Sequence, residues 1–265
     1  VRCLSLLTQQ PAEGGVDAPP VVLLPYAGAM VSPAALIRPA LARAAAVYTA
    51  TYPGHGRAAG APLSDPEPLL AMLADDLAEL AGSVAAPVLV GFSMGARLAY
   101  ELAVRLHTGD APPAGLVLCV SRAPHTGTGH RPIANLPEAE FGPTAARLGL
   151  VAAELLGLPG ADSLLRVLRA DLAIVERMPT ARGPALALPA TVVGATADWL
   201  VPEPALRRWA DLVVDPVQLR VPGGHLDWLQ APAAMTAAVE SGIAHVFLNA
   251  AVPGSASGIG RADRA

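Results

Sequence analysis

Ser93 stands between two glycines in Gly91-Phe92-Ser93-Met94-Gly95, and a serine in that setting can act as a nucleophile. The apolar run Val88-Leu89-Val90 precedes it and a helical pattern follows it, which is the strand-turn-helix context of a nucleophile elbow. The requirement is steric. A serine on so sharp a turn adopts a strained backbone, and glycines on either side remove the side chains that would collide across it. The turn also puts Ser93 at a helix N-terminus, where backbone N–H groups and the helix dipole favour an oxyanion. A chance Gly/Ser loop is the competing reading, and the strand before and helix after weigh against it.

A serine hydroxyl is a poor nucleophile until a histidine takes its proton and a carboxylate orients that histidine. In this setting the chain order is serine, acid, histidine. His125, His130, His225 and His245 all follow the elbow. His225 sits in Pro222-Gly223-Gly224-His225, directly after the strand pattern Val217–Val221, on the sheet edge where such sites are built. His245 falls inside a helical pattern, and His125 and His130 flank a Gly/Pro-rich linker with no partners for a metal. His225 is the expected base. Asp198 follows the strand pattern Thr191–Ala195 and is the expected acid, with a helix N-cap as its competing role. Asp211 falls mid-helix, and Asp227 is too near His225 in sequence. The expected oxyanion donors are the N–H groups of Met94 and of Ala27, in the small-residue loop Pro25-Tyr26-Ala27-Gly28-Ala29.

These residues need a sheet to position them. Apolar, β-rich runs predict strands over Val21–Leu24, Val47–Tyr52, Pro87–Gly91, Leu116–Val120, Thr191–Ala195 and Val217–Val221, with a weaker one near Arg2–Leu7. Helical patterns fall between them over Pro33–Ala44, Pro66–Gly82, Met94–His107, Glu203–Leu212 and Pro232–Phe247. The alternation predicts an α/β fold with a mostly parallel, doubly wound sheet. One connection, about 121–189, is too long for a bare loop. Its Leu164, Leu165, Leu168, Leu172 and Val175 form one helical stripe, so a helical lid is expected there, or a packing subdomain without gating. A single domain is expected over 1–252, with 253–265 as a disordered Gly/Ser-rich tail.

Composition narrows the chemistry further. The 265 residues are 53% hydrophobic and 15% charged, with net charge −4, which argues against a nucleic-acid partner. No charge-free apolar run reaches membrane-spanning length; the longest candidate, Ala231–Val252, is broken by Glu240 and His245. Every basic residue is arginine, as GC-rich coding would favour, and the absence of lysine excludes a P-loop, a pyridoxal Schiff base and a Ser-Lys dyad. Cys3 and Cys119 are too distant in sequence for a Cys-x-x-Cys pair, and Cys119 lies in an apolar run as a buried thiol would. The first residues lack signal-peptide character, so a cytoplasmic protein is expected.

With these residues placed, the sequence resembles the type II thioesterases of polyketide and nonribosomal peptide assembly lines, which are α/β-hydrolases. The resemblance lies in Leu24-Pro25-Tyr26-Ala27-Gly28, Tyr52-Pro53-Gly54, the elbow through Ala96, Gly194 to Pro202, and Pro222 to His225. Leu168-Arg169-Ala170-Asp171-Leu172 with Glu176 resembles the family's lid helix, which generic esterases lack. The chain departs at Ala29-Met30, where the family tends to have Gly-Ser. It departs again at His55, where arginine is common, and at Leu226-Asp227-Trp228, where aromatics follow the histidine. The resemblance implies hydrolysis of acyl thioesters carried on the phosphopantetheine of an acyl or peptidyl carrier protein. It implies an acyl-Ser93 intermediate, no metal or organic cofactor, and a monomer. The rival readings are an acyltransferase or cyclase, a small-molecule serine esterase, and a non-catalytic binding protein on a hydrolase fold.

Overall fold

A computed structural model describes residues 2–9, 19–42, 44, 46–81, 85–107, 112–178 and 185–250; the expected tail at 253–265 lies outside them. Seven strands form one sheet: β1 (Leu4–Gln9), β2 (Val21–Leu24), β3 (Ala46–Ala50), β4 (Val88–Phe92), β5 (Gly115–Cys119), β6 (Ala190–Ala195) and β7 (Val217–Val221). Their spatial order is β1-β3-β2-β4-β5-β6-β7. Only β1 is antiparallel, paired with β3. The helices are α1 (Pro66–Ala81), α2 (Met94–His107), α3 (Glu138–Arg147), α4 (Ala161–Arg177), α5 (Glu203–Arg207) and α6 (Ala233–Ala250).

The central strands are apolar at every position because both faces are covered. Val22, Leu24, Leu89, Leu116 and Leu118 pack into one core with the residues of α1 and α2. Their neighbours Val21, Leu23, Val88, Val90, Phe92 and Val117 point the other way, into a second core closed by α6. Cys119 is among them, and complete burial pushes its thiol pKa far up, so it packs as a small hydrophobe. At β2 the chain steps first to β3 on one side and then to β4 on the other. The loops leaving the C-terminal ends of β2 and β4 therefore diverge and open a crevice.

Two expected helices differ. Pro33–Ala44 is not one helix but two 3-10 turns, Pro33–Ala35 and Arg38–Leu41. Pro39 has no N–H to return to the turn before it, and the chain leaves helical geometry at Ile37, with φ of −110° and ψ of 18°. Glu203–Leu212 is helical only to Arg207 and then tightens into a 3-10 turn, Arg208–Asp211, spanned by the Arg208–Asp211 ion pair at 2.6 Å. The long connection between β5 and β6 is a helical insertion with its own small core of Ile133, Phe141, Ala145, Leu168, Leu172 and Ala173. Among the described residues no helix is long and apolar enough to cross a membrane.

Candidate active site

Ser93 follows β4 directly and has φ of 51°, left-handed backbone that a non-glycine residue rarely adopts. The flanking glycines make that turn possible. A Cβ at Gly95 would lie 1.9 Å from the Leu24 carbonyl oxygen, and one at Gly91 would lie 2.3 Å from the Gly95 oxygen. The start of α2 thus packs backbone to backbone against the end of β2.

Ser93 Oγ lies 3.0 Å from His225 Nε2, and His225 Nδ1 lies 2.7 Å from Asp198 Oδ2. Asp198 is buried, and its other oxygen accepts the N–H groups of Leu200 (3.0 Å) and Val201 (3.1 Å). One carboxylate therefore orders its own loop with Oδ1 and the imidazole with Oδ2. It does not cap α5, whose N-cap is Pro202. An Nδ1–H donated to Asp198 leaves the Nε2 lone pair facing the Ser93 hydroxyl, the arrangement a general base needs.

The loop that carries His225 is fixed by its own residues. Gly223 takes φ of 98°, and the Gly224 N–H donates to Asp227 Oδ2 at 2.7 Å. Asp227, dismissed as the catalytic acid by its proximity in sequence, is thus a brace for the loop. Trp228 stacks on Phe92 of β4 (centroids 4.7 Å apart) and meets Tyr26 edge-on at 5.9 Å. That aromatic set links the His225 loop to the elbow strand and to the loop after β2. The Ala27 and Met94 N–H groups donate no hydrogen bond among the described residues, and both residues line a chamber with Ser93 and His225.

The sequence reading passed over two residues as site components: His55 and Asp171. Asp171 is on α4, almost wholly buried, and its Oδ2 accepts from His55 Nε2 at 2.8 Å and from the Gly28 N–H at 2.7 Å. Burial works against a charged imidazole at His55, but the Asp171 hydrogen bond and charge, helped by the Pro53 and Tyr52 carbonyls, raise its pKa above 6.5. Burial likewise pushes the Asp171 carboxyl above its usual 3.8, against the pull of His55 and Gly28. Tyr52 also donates its hydroxyl to the Pro25 carbonyl at 3.1 Å. The signal was present in the sequence: an aspartate on the apolar stripe of a helix demands a buried partner. Nearby, Arg169 donates to the Ala134 and Leu136 carbonyls (2.7 and 2.6 Å), and Glu176 accepts the Ile133 N–H at 2.6 Å. The polar residues of the 168–176 stretch thus bind the insertion together and to the site.

Of the remaining candidate histidines, His130 lines the smaller cavity at Ser93, and the other two lie elsewhere. His125 pairs with the exposed Asp211 at 2.9 Å, and His245 contacts Asn249 on α6. Two cavities meet at His225. One of about 490 Å³ is largely apolar and open, lined by Tyr26, Leu155, Leu164, Leu168 and Trp199 among others. The other, about 50 Å³, reaches Ser93 itself.

Comparison with known proteins agrees with this architecture. The thioesterase domain family matches residues 19–242. A "probable cadicidin biosynthesis thioesterase" from Streptomyces griseus is 32% identical over 222 residues; the match takes in 81% of this chain but only 59% of that relative's length. RedJ, a thioesterase from the prodiginine pathway of Streptomyces coelicolor, superimposes with a TM-score of 0.68 at 32% identity, covering 86% of this chain and 96% of RedJ. YbtT, a type II thioesterase from the yersiniabactin pathway, gives a TM-score of 0.76 at 26% identity, covering 92% and 99%. The chain belongs to the thioesterase domain family and has its α/β-hydrolase fold.

Proposed function

We propose that this chain is a type II thioesterase that hydrolyses acyl groups from the phosphopantetheine of carrier proteins in polyketide or nonribosomal peptide biosynthesis. The observation that carries the reading is the unbroken relay from Ser93 Oγ through His225 to Asp198, at 3.0 and 2.7 Å. Membership of the thioesterase family supplies the substrate bond.

In this mechanism His225 Nε2 takes the Ser93 proton as Oγ attacks the thioester carbonyl. The Ala27 and Met94 N–H groups receive the oxyanion, with no competing hydrogen-bond partner among the described residues. The C–S bond breaks, and the thiolate takes the proton held by His225. Water, deprotonated by the same Nε2, then attacks the acyl-Ser93 ester and releases the acid. Asp198 holds the imidazole in the required tautomer throughout. The insertion at about 121–189 acts as the lid over this chemistry, a role supported by the packing of Leu168 against Gly28, where a Cβ would lie 3.3 Å away. Trp199 is 57% exposed beside the 490 Å³ cavity and gives the carrier-borne arm an apolar place to enter.

The test is intact-mass analysis of acyl-loaded carrier protein incubated with wild type and with Ser93→Ala. Free pantetheine thiol plus free acid, with wild type alone, is the expected result. Unloading to a lactone, ester or amide would make the protein a cyclase or transferase. No unloading of any acyl carrier would overturn the reading.

A further inference from the structure

The 50 Å³ chamber that reaches Ser93 is lined by two arginines, Arg97 on α2 and Arg122 just beyond β5. Arg97 is 5% exposed. Its guanidinium donates to the carbonyls of Gly127 and Val175, and Arg122 Nη1 donates to the Leu200 carbonyl at 3.1 Å. Among the described residues neither arginine has a carboxylate within 4 Å. The carboxylates nearest in influence are committed. Asp198 spends its oxygens on His225, Leu200 and Val201, and the field of Glu101 is shared between Arg105 and Arg97. Burial and the neighbouring Arg122 charge lower the Arg97 pKa to about 10, which still leaves it a cation at neutral pH. Arg122 Nε is buried with no hydrogen-bond partner.

A buried cation, Arg97, and a half-buried one, Arg122, face one small chamber without an ion-pairing carboxylate, an arrangement that favours a visiting anion. We infer that this chamber is an anion subsite beside Ser93, built to receive the carboxylate of a short carboxyacyl group, of the malonyl or succinyl type, while its carbonyl is attacked. The inference rests on the thioester hydrolysis proposed above and specifies its substrate class. Size agrees: the chamber holds about four water-sized groups, which suits a methylene and carboxylate but not a long chain. The phosphate of the pantetheine arm is excluded as the anion, because it lies at the far end of that arm from the thioester. The 490 Å³ cavity, on the other side of His225, then takes the arm. The step balances without a co-reactant: carboxyacyl thioester and water give a dicarboxylic acid and a thiol, with Ser93 and His225 restored.

The experiment compares malonyl-, succinyl- and butyryl-pantetheine as substrates for wild type, Arg97→Gln and Arg122→Gln. Wild type is expected to show kcat/KM at least tenfold higher for a carboxyacyl substrate than for butyryl, with either variant lowering that ratio at least tenfold. Arg122→Gln carries the test if Arg97→Gln does not fold. Faster butyryl hydrolysis by wild type, or a ratio that neither variant moves, would overturn the subsite while leaving the thioesterase reading intact. No hydrolysis of any of the three, together with no labelling of Ser93 by a fluorophosphonate, would overturn both.

Discussion

The imidazole of His55 and the carboxylate of Asp171 meet at 2.8 Å with 3% and 1% of their side chains exposed, although 116 residues separate them. The pair joins the loop after β3 to helix α4 of the insertion. The same carboxylate oxygen holds the Gly28 N–H, next to the proposed oxyanion donor Ala27. One side chain therefore ties the insertion to the loop that must face the reacting carbonyl. Replacing Asp171 with Ala strands a buried imidazole and a buried N–H. The expected cost is about 3–5 kcal/mol, the range for breaking a buried pair from one side. Urea unfolding measures it, and a loss under 1 kcal/mol would show the pair to be energetically idle.

The pair also makes stability depend on pH with a definite sign. A His55 pKa held above 6.5 in the folded state means that the folded protein binds more protons than the unfolded one. That contribution is fully present below pH 6.5 and is lost as pH rises through the folded pKa. Asp171, raised above 3.8, acts in the same direction over its own range. The Tm difference between wild type and His55→Gln should shrink as pH is raised from 6 towards 9. A difference that is flat or grows would contradict the sign.

Loss of the proposed nucleophile or base should be severe and chemical. Ser93→Ala and His225→Ala are expected to lower kcat by about 10⁴-fold or more, and Asp198→Asn by about 10⁴-fold because it offers Nδ1 the wrong partner. Circular dichroism and Tm should remain near wild type for Ser93→Ala. Turnover within tenfold of wild type in any of the three would remove that residue from the mechanism.

Gly95 tests the backbone contact behind the elbow. An added Cβ would lie 1.9 Å from the Leu24 oxygen, a clash with backbone that cannot rotate away. Gly95→Ala should therefore lower stability by more than about 2 kcal/mol. Gly157→Ala, with nothing within 4 Å of the added carbon, should stay within about 0.5 kcal/mol. Equal effects would mean that the elbow can shift to accept a side chain.

Much of the frame was legible in the sequence because its causes are local. Gly91 and Gly95 around Ser93 express a steric need of one turn, and the apolar runs at Val88–Val90 and Leu116–Cys119 express burial on both faces of one sheet. Asp198 and His225 could be nominated because each directly follows a strand pattern, and strand ends in a parallel sheet gather along one edge. Even locally, Pro39 was enough to turn an expected helix into two short turns. The tertiary structure alone decided what distant segments do to one another. It paired His55 with Asp171, set Trp228 against Phe92, and gathered Arg97 and Arg122 around one chamber with no ion-pairing carboxylate among the described residues. A residue's own neighbours fix its backbone, but its charge state, its partners and the cavity it faces depend on which surfaces the folded chain excludes from water.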